Sequence, residues 1–133
     1  MNDNDESWLP NREPYIPASL SEIYDFLACL LGGAPTFVDD TGFYPDQNID
    51  TEFAVLVAAF DKVRRKLGED RYVKLIELAA QAKGLFAADP KNENGKTRQG
   101  YRVIHEIEDI IQDARKRRVI AKLKDDVRDV TGE

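Results

Sequence analysis

The chain has 133 residues, 42% of them apolar and 33% charged, with a net charge of −6. That suffices for one domain with a modest core beneath a heavily charged surface. The single cysteine, Cys29, excludes an intramolecular disulfide and suits a reducing compartment. The acidic opening MNDNDESWLPNREP has no apolar run behind it, and the longest apolar run, FLACLLGGA, is too short to span a bilayer. A cytoplasmic protein with no membrane partner is expected.

Residues 1–18 contain three of the six prolines and little periodicity, so they read as an extended lead-in that Trp8, Tyr15 and Ile16 would pin to the body. At Ser19 the pattern changes. The sequence SLSE is a capping box, with Ser19 as N-cap and Glu22 reaching back to its amide. Leu20, Ile23, Tyr24, Leu27, Leu30 and Leu31 then follow at helical spacing until Gly32 and Gly33 end the run. An irregular stretch fills Ala34 to about Ile49. Asn48 or Asp50 caps a second helix, whose apolar stripe is Phe53, Leu56, Val57, Phe60, Val63 and Leu67, stopped by Gly68.

A third helix starts near Glu69 or Asp70, where acids suit the N-terminal dipole. Its stripe runs through Tyr72, Leu75, Ile76, Ala79, Ala82 and Phe86 toward Pro90, and Gly84 is expected to loosen its last turn. DPKNENGKT is a polar loop, and Thr97 caps a fourth helix with Tyr101, Ile104, Ile107, Ile111 and Ala114 inward. Beyond ARKRR, Ile120, Leu123, Val127 and Val130 keep helical spacing but leave the earlier phase, which predicts a bend or a separate fifth helix over 119–130. The expectation is a single all-α domain over 1–133, a bundle of four or five helices. Its core is drawn from Ile23, Leu27, Leu30, Phe53, Leu56, Phe60, Leu75, Ile76, Ala79, Ile104 and Ile111.

Charge is unevenly divided. Residues 1–60 hold eleven acids and one base, Arg12, whereas residues 61–133 hold fourteen acids and eighteen bases. The halves either cancel against each other on folding or leave an acidic field that steers a basic partner.

The motifs that suggest chemistry fail on their surroundings. Asp40-Thr41-Gly42 matches the aspartic-protease tripeptide, but those enzymes need two such carboxylates in a β-rich cleft, and the triplet is also ordinary turn chemistry. Asp46 to Asp50 begins like a calcium loop, yet Thr51 and Val57 fall where its glycine and its bidentate glutamate belong. Asn94 to Thr97 ends like a phosphate loop, but Pro90 replaces the first glycine and no strand precedes it. His105 is the only histidine, so a histidine-rich zinc site is unavailable. It reads as packed or half-exposed on its helix. Cys29, in the most apolar segment, reads as an inert core residue. No catalytic residue, cofactor or metal is therefore expected, and the chain reads as a binding protein and not an enzyme. The basic runs KVRRK, at 62–66, and ARKRR, with its bases at 115–118, would serve an alternative role as a small nucleic-acid-associated regulator. Flanking acids and the negative net charge favour solvated helix faces instead.

The segment from Phe43 to Ile111 resembles small bacterial immunity proteins of contact-dependent growth inhibition systems. The likeness is carried by FYPD before an acidic helix start, by KLGEDRY between two helices, and by LFAADPKNENGKT leading into the long last helix. It covers about half the chain. The resemblance implies a non-enzymatic protein that binds one cognate secreted toxin domain and neutralises it in the producing cell. Many such toxins are basic nucleases, which need positive charge to hold phosphates. The stretch FVDDTGFYPDQNIDTEF, Phe37 to Phe53, then becomes the expected partner surface. Phe37, Phe43 and Tyr44 offer large contact area, while Asp39, Asp40, Asp46, Asp50 and Glu52 can pair with a partner's lysines and arginines. The bland alternative, that these aromatics cap the core while the acids solvate the loop, stands level with it.

Overall fold

The computed structural model describes residues 14–125, and it is helical throughout its regular structure: α1 (Leu20–Gly33), α2 (Ile49–Lys62), α3 (Arg64–Leu67), α4 (Glu69–Ala87) and α5 (Lys96–Asp125). Each start has a local cause. Ser19 Oγ accepts from the Glu22 amide at 3.2 Å, capping α1. The Glu22 carboxylate does not return to the Ser19 amide as the box predicts. It accepts from the Ala18 amide at 2.8 Å and from the Tyr15 hydroxyl at 2.9 Å, which fastens the end of the lead-in to the first turn. Of that lead-in, residues 1–13, including Trp8, lie outside the described residues.

Asn48, and not Asp50, caps α2. Its side chain accepts from the Thr51 amide at 3.0 Å while Thr51 Oγ1 accepts from the Asn48 amide at 2.9 Å, a reciprocal capping box. The second helix does not run unbroken to Leu67. At Val63 the backbone leaves helical geometry, with φ −106° and ψ 15°, and α3 restarts from there. Val63 and Leu67 are both buried, so the chain changes direction without withdrawing either from the core. Gly68 follows at φ 82°, a left-handed conformation suited to glycine, and α4 begins at once.

α4 and α5 run antiparallel: Arg71 of α4 meets Asp113 of α5 at 3.4 Å, and at the other end Phe86 packs on Gly100 and Tyr101. α2 lies antiparallel on α4, with Asp50 paired to Lys83 at 3.0 Å and Phe53 beside Phe86. α1 and α3 cover α5. The core is continuous, with Ile23, Leu27, Leu30, Phe53, Leu56, Phe60, Leu75, Ala79, Ile104 and Ile111 all buried and Ile76 partly buried against them.

Three expectations are corrected here. Cys29 is exposed, on the face of α1 turned away from Leu27 and Leu30. Val57 is 38% exposed, and Val55 is buried in its place. No separate helix begins after the basic run among the described residues, because the last helix continues through it as one 30-residue element. Its stripe changes phase because Ala114 is the last α5 position buried among the described residues, and the helix outruns the described elements that flank it. The side chains of Leu123, Val127 and Val130 lie outside the described residues.

A second device sets the start of α5. Asp89 is 2% exposed, and its carboxylate accepts from the amides of Glu93 at 2.7 Å, Asn94 at 3.2 Å and Thr97 at 3.0 Å. The cap of α5 is thus supplied from the preceding loop. Thr97, expected as the cap, is instead a buried residue of the first turn, whose hydroxyl donates to the Asp89 carbonyl at 3.3 Å. The 88–95 loop and the 34–48 loop lie at the same end of the bundle, where α1 and α4 finish and α2 and α5 begin.

Candidate partner-binding loop

The loop between α1 and α2 is fastened at both ends. Phe37 carries φ 64°, an uncommon conformation for a residue with a Cβ, costing roughly 1–2 kcal/mol. That twist turns the ring inward. It packs edge-on against Phe53 at 5.6 Å and Phe86 at 5.2 Å between centroids, and only 1% of the residue is exposed. Burying a phenylalanine is worth about 1.5–3 kcal/mol, comparable to or greater than the cost of the twist. Phe37 is therefore a core residue, which corrects its expected place on a partner surface. Its carbonyl accepts from Gln47 Nε2 at 2.8 Å, so the two ends of the loop are tied together.

Between those ties, Asp39 organises the loop from within. Its carboxylate accepts from the Thr41 hydroxyl at 2.7 Å, the Thr41 amide at 3.1 Å and the Tyr44 amide at 2.8 Å. The Thr41 hydroxyl, donating first of all, holds the carboxyl below the usual aspartate range, with the amides of Thr41, Tyr44 and Phe43 adding to it. Thr41 Oγ1 in turn accepts from the Phe43 amide at 3.2 Å. Asp40-Thr41-Gly42 is accordingly a turn, with Gly42 at φ 82°.

The consequence is a loop whose apolar side chains face outward. Phe43 is 66% exposed, Tyr44 54% and Val38 54%. Asp40 and Asp46 are exposed beside them. The other two acids differ in their surroundings. Asp50 is engaged by Lys83, and Glu52 is only partly exposed, with burial pushing its carboxyl upward. Of the eight residues expected to form the surface, Phe43, Tyr44, Asp40 and Asp46 thus stand together on the outer loop. Phe37 and Asp39 build the loop, and Asp50 and Glu52 lie on the first turn of α2. Val38 and Gln47 were not singled out from the sequence, which offers no periodicity in this stretch to place them.

The remaining candidates are dispersed. His105 is on the outer side of α5, with Nδ1 2.7 Å from Glu108 Oε1, while Cys29 is on the exposed face of α1. No group of three or more metal-capable side chains occurs among the described residues, and none of their helices is long and apolar enough to cross a membrane. In the basic run at 62–66, Arg64 is held by Glu69, with Nε 3.0 Å from Oε1, and stacks 4.0 Å over the Tyr72 ring. In the run at 115–118, Arg117 pairs with Asp113 at 3.0 Å. α3 packs on α5, so both basic runs lie at the end of the bundle opposite the acidic loop.

Comparison with protein-family models, curated proteins and solved structures finds no match for this chain.

Proposed function

We propose that this chain is an immunity protein, a cytoplasmic, non-enzymatic binding protein that neutralises a cognate secreted toxin domain. The partner is a basic domain, best fitted by a nuclease, and it is met by the outer face of the 38–46 loop. One observation supports this above the rest: Phe43 and Tyr44 are 66% and 54% exposed on a loop that internal hydrogen bonds hold in shape. Rigid, exposed aromatics flanked by carboxylates are what a protein contact with a cationic surface calls for. Pre-organisation by Asp39 and Gln47 also reduces the ordering cost on binding. The motif likeness over 43–111 supplies the immunity role.

The test is co-expression with the C-terminal domain of a secreted toxin, sought first in the genes adjoining this one. The chain is expected to restore growth. A variant carrying Phe43→Ala, Tyr44→Ala, Asp40→Lys and Asp46→Lys is expected to stay folded and lose protection. Protection that survives those changes but is lost with Lys62→Glu and Arg65→Glu would overturn the assignment and place function at the basic end.

A further inference from the structure

The far part of α5 carries a face that no other described helix covers. Gln112, Arg115, Lys116, Val119 and Ile120 recur at helical spacing and line an open groove of about 350 Å³. Ile120 is 54% exposed and Val119 partly so. An isoleucine left open among arginines and lysines fits a partner that combines acids with a large apolar side chain.

The chain itself contains such a segment. Residues 1–13 hold Asp3, Asp5, Glu6 and Glu13 against one base, Arg12, with Trp8 and Leu9 between them. The described chain also begins at the right end of the bundle. The C-terminal end of α1 lies by Phe37 and Phe86, level with Gly100 of α5. α1 has 14 residues, about 21 Å of helix, and packs along α5, so its N-terminal end lies farther along α5, toward the basic run. Just before it, Pro17 is buried and Ile16 packs on the core. Thirteen residues span up to about 43 Å when extended, far more than the roughly 12 Å from Gln112 to Ile120.

We propose that this face of α5 is a docking site for the chain's own acidic N-terminal segment, residues 1–13. Trp8 and Leu9 meet Val119 and Ile120, and the acids meet the arginines and lysines of the 115–118 run. The segment covers the basic run and competes with polyanions for it.

Trp8 is the only tryptophan, so the full chain reports on its own segment. The measurement is Trp8 emission and its quenching by acrylamide. An undocked form populated at about 10% or less gives blue-shifted emission and quenching about tenfold slower than in the urea-unfolded chain. Ile120→Asp and Lys116→Glu alter exposed side chains, so each is expected to keep the helical circular dichroism while restoring quenching. Trp8 quenched as freely in the native chain as in urea overturns the proposal. So does protection unchanged by both variants, which places the segment elsewhere. Protection that disappears on dilution, together with dissociation of a dimer in sedimentation, overturns it in favour of a second copy.

Discussion

Replacing Phe37 by alanine removes a ring packed edge-on between Phe53 and Phe86 and nearly closed to solvent. Truncations of that kind cost about 3–5 kcal/mol. Phe43→Ala, at a residue 66% exposed, is expected to change stability by less than about 0.5 kcal/mol. Chemical denaturation of the two variants checks the contrast, and reversing their order would remove the basis for dividing the loop into an inner anchor and an outer face. Sequence alone leaves these two phenylalanines alike, because neither sits in a periodic run and the left-handed turn at Phe37 has no residue signal such as glycine or asparagine. Cys29 differs in this respect. At about 100° per residue it lies about 200° round the helix from Leu27, so the spacing already places it outside, and the apolar composition of FLACLLGGA obscured that.

Two glycines on neighbouring helices have opposite expectations. Gly84, in α4, has nothing within 4 Å of an added Cβ, so Gly84→Ala is expected to stabilise by about 0.5–1 kcal/mol through helix propensity. At Gly100, in α5, an added Cβ would fall 2.5 Å from the Phe86 ring, itself fully buried against Phe37, Phe53 and Tyr101. Gly100→Ala is expected to destabilise by about 1–3 kcal/mol through overpacking, and thermal melts of both variants test the pair. The Asp89 cap gives α5 a pH dependence with a definite sign. Burial alone would raise this carboxyl, but the amides of Thr97, Glu93 and Asn94 outweigh it and hold it below the ordinary 3.8. A carboxylate lowered on folding contributes stability above its unfolded value and loses that contribution as pH falls through the folded one. Asp89→Asn is therefore expected to lower the melting temperature at neutral pH, with the gap from the parent closing below about pH 4. A gap of constant size down to the acid limit would contradict the capping role. At this scale the helices themselves were legible, because capping residues and apolar stripes are local. The cap of α5 was not, since Asp89 reaches forward across a loop. The break at Val63 was not either, since no Gly or Pro marks it. The supposed break after ARKRR mistook the end of packing for the end of a helix.

Among the described residues, the 38–46 loop with its exposed carboxylates and the two basic runs occupy opposite ends of the bundle, so these two charge groups form a polarity in space. For the toxin contact proposed above, that polarity should act on encounter. Added salt is expected to slow association with a basic partner much more than it changes dissociation. Asp40→Lys and Asp46→Lys should slow association further. Tyr44→Ala should act mainly on dissociation, by about 2 kcal/mol or more if that ring is a hot spot. Kinetic binding at several salt concentrations separates these effects, and a salt-insensitive association rate would remove electrostatic steering from the account. The acidic character of this end could be read from composition, but its separation from the basic runs required the antiparallel pairing of α4 with α5. The tie between the Phe37 carbonyl and Gln47 has a consequence for descent as well. Because both anchors sit outside the 38–46 stretch, its exposed positions can be rewritten while the bundle is inherited unchanged, provided that Asp39 and its turn are kept. If the toxin contact proposed above holds, a lineage matching new toxins would diverge fastest at this cassette, changing its outer side chains and keeping its anchors.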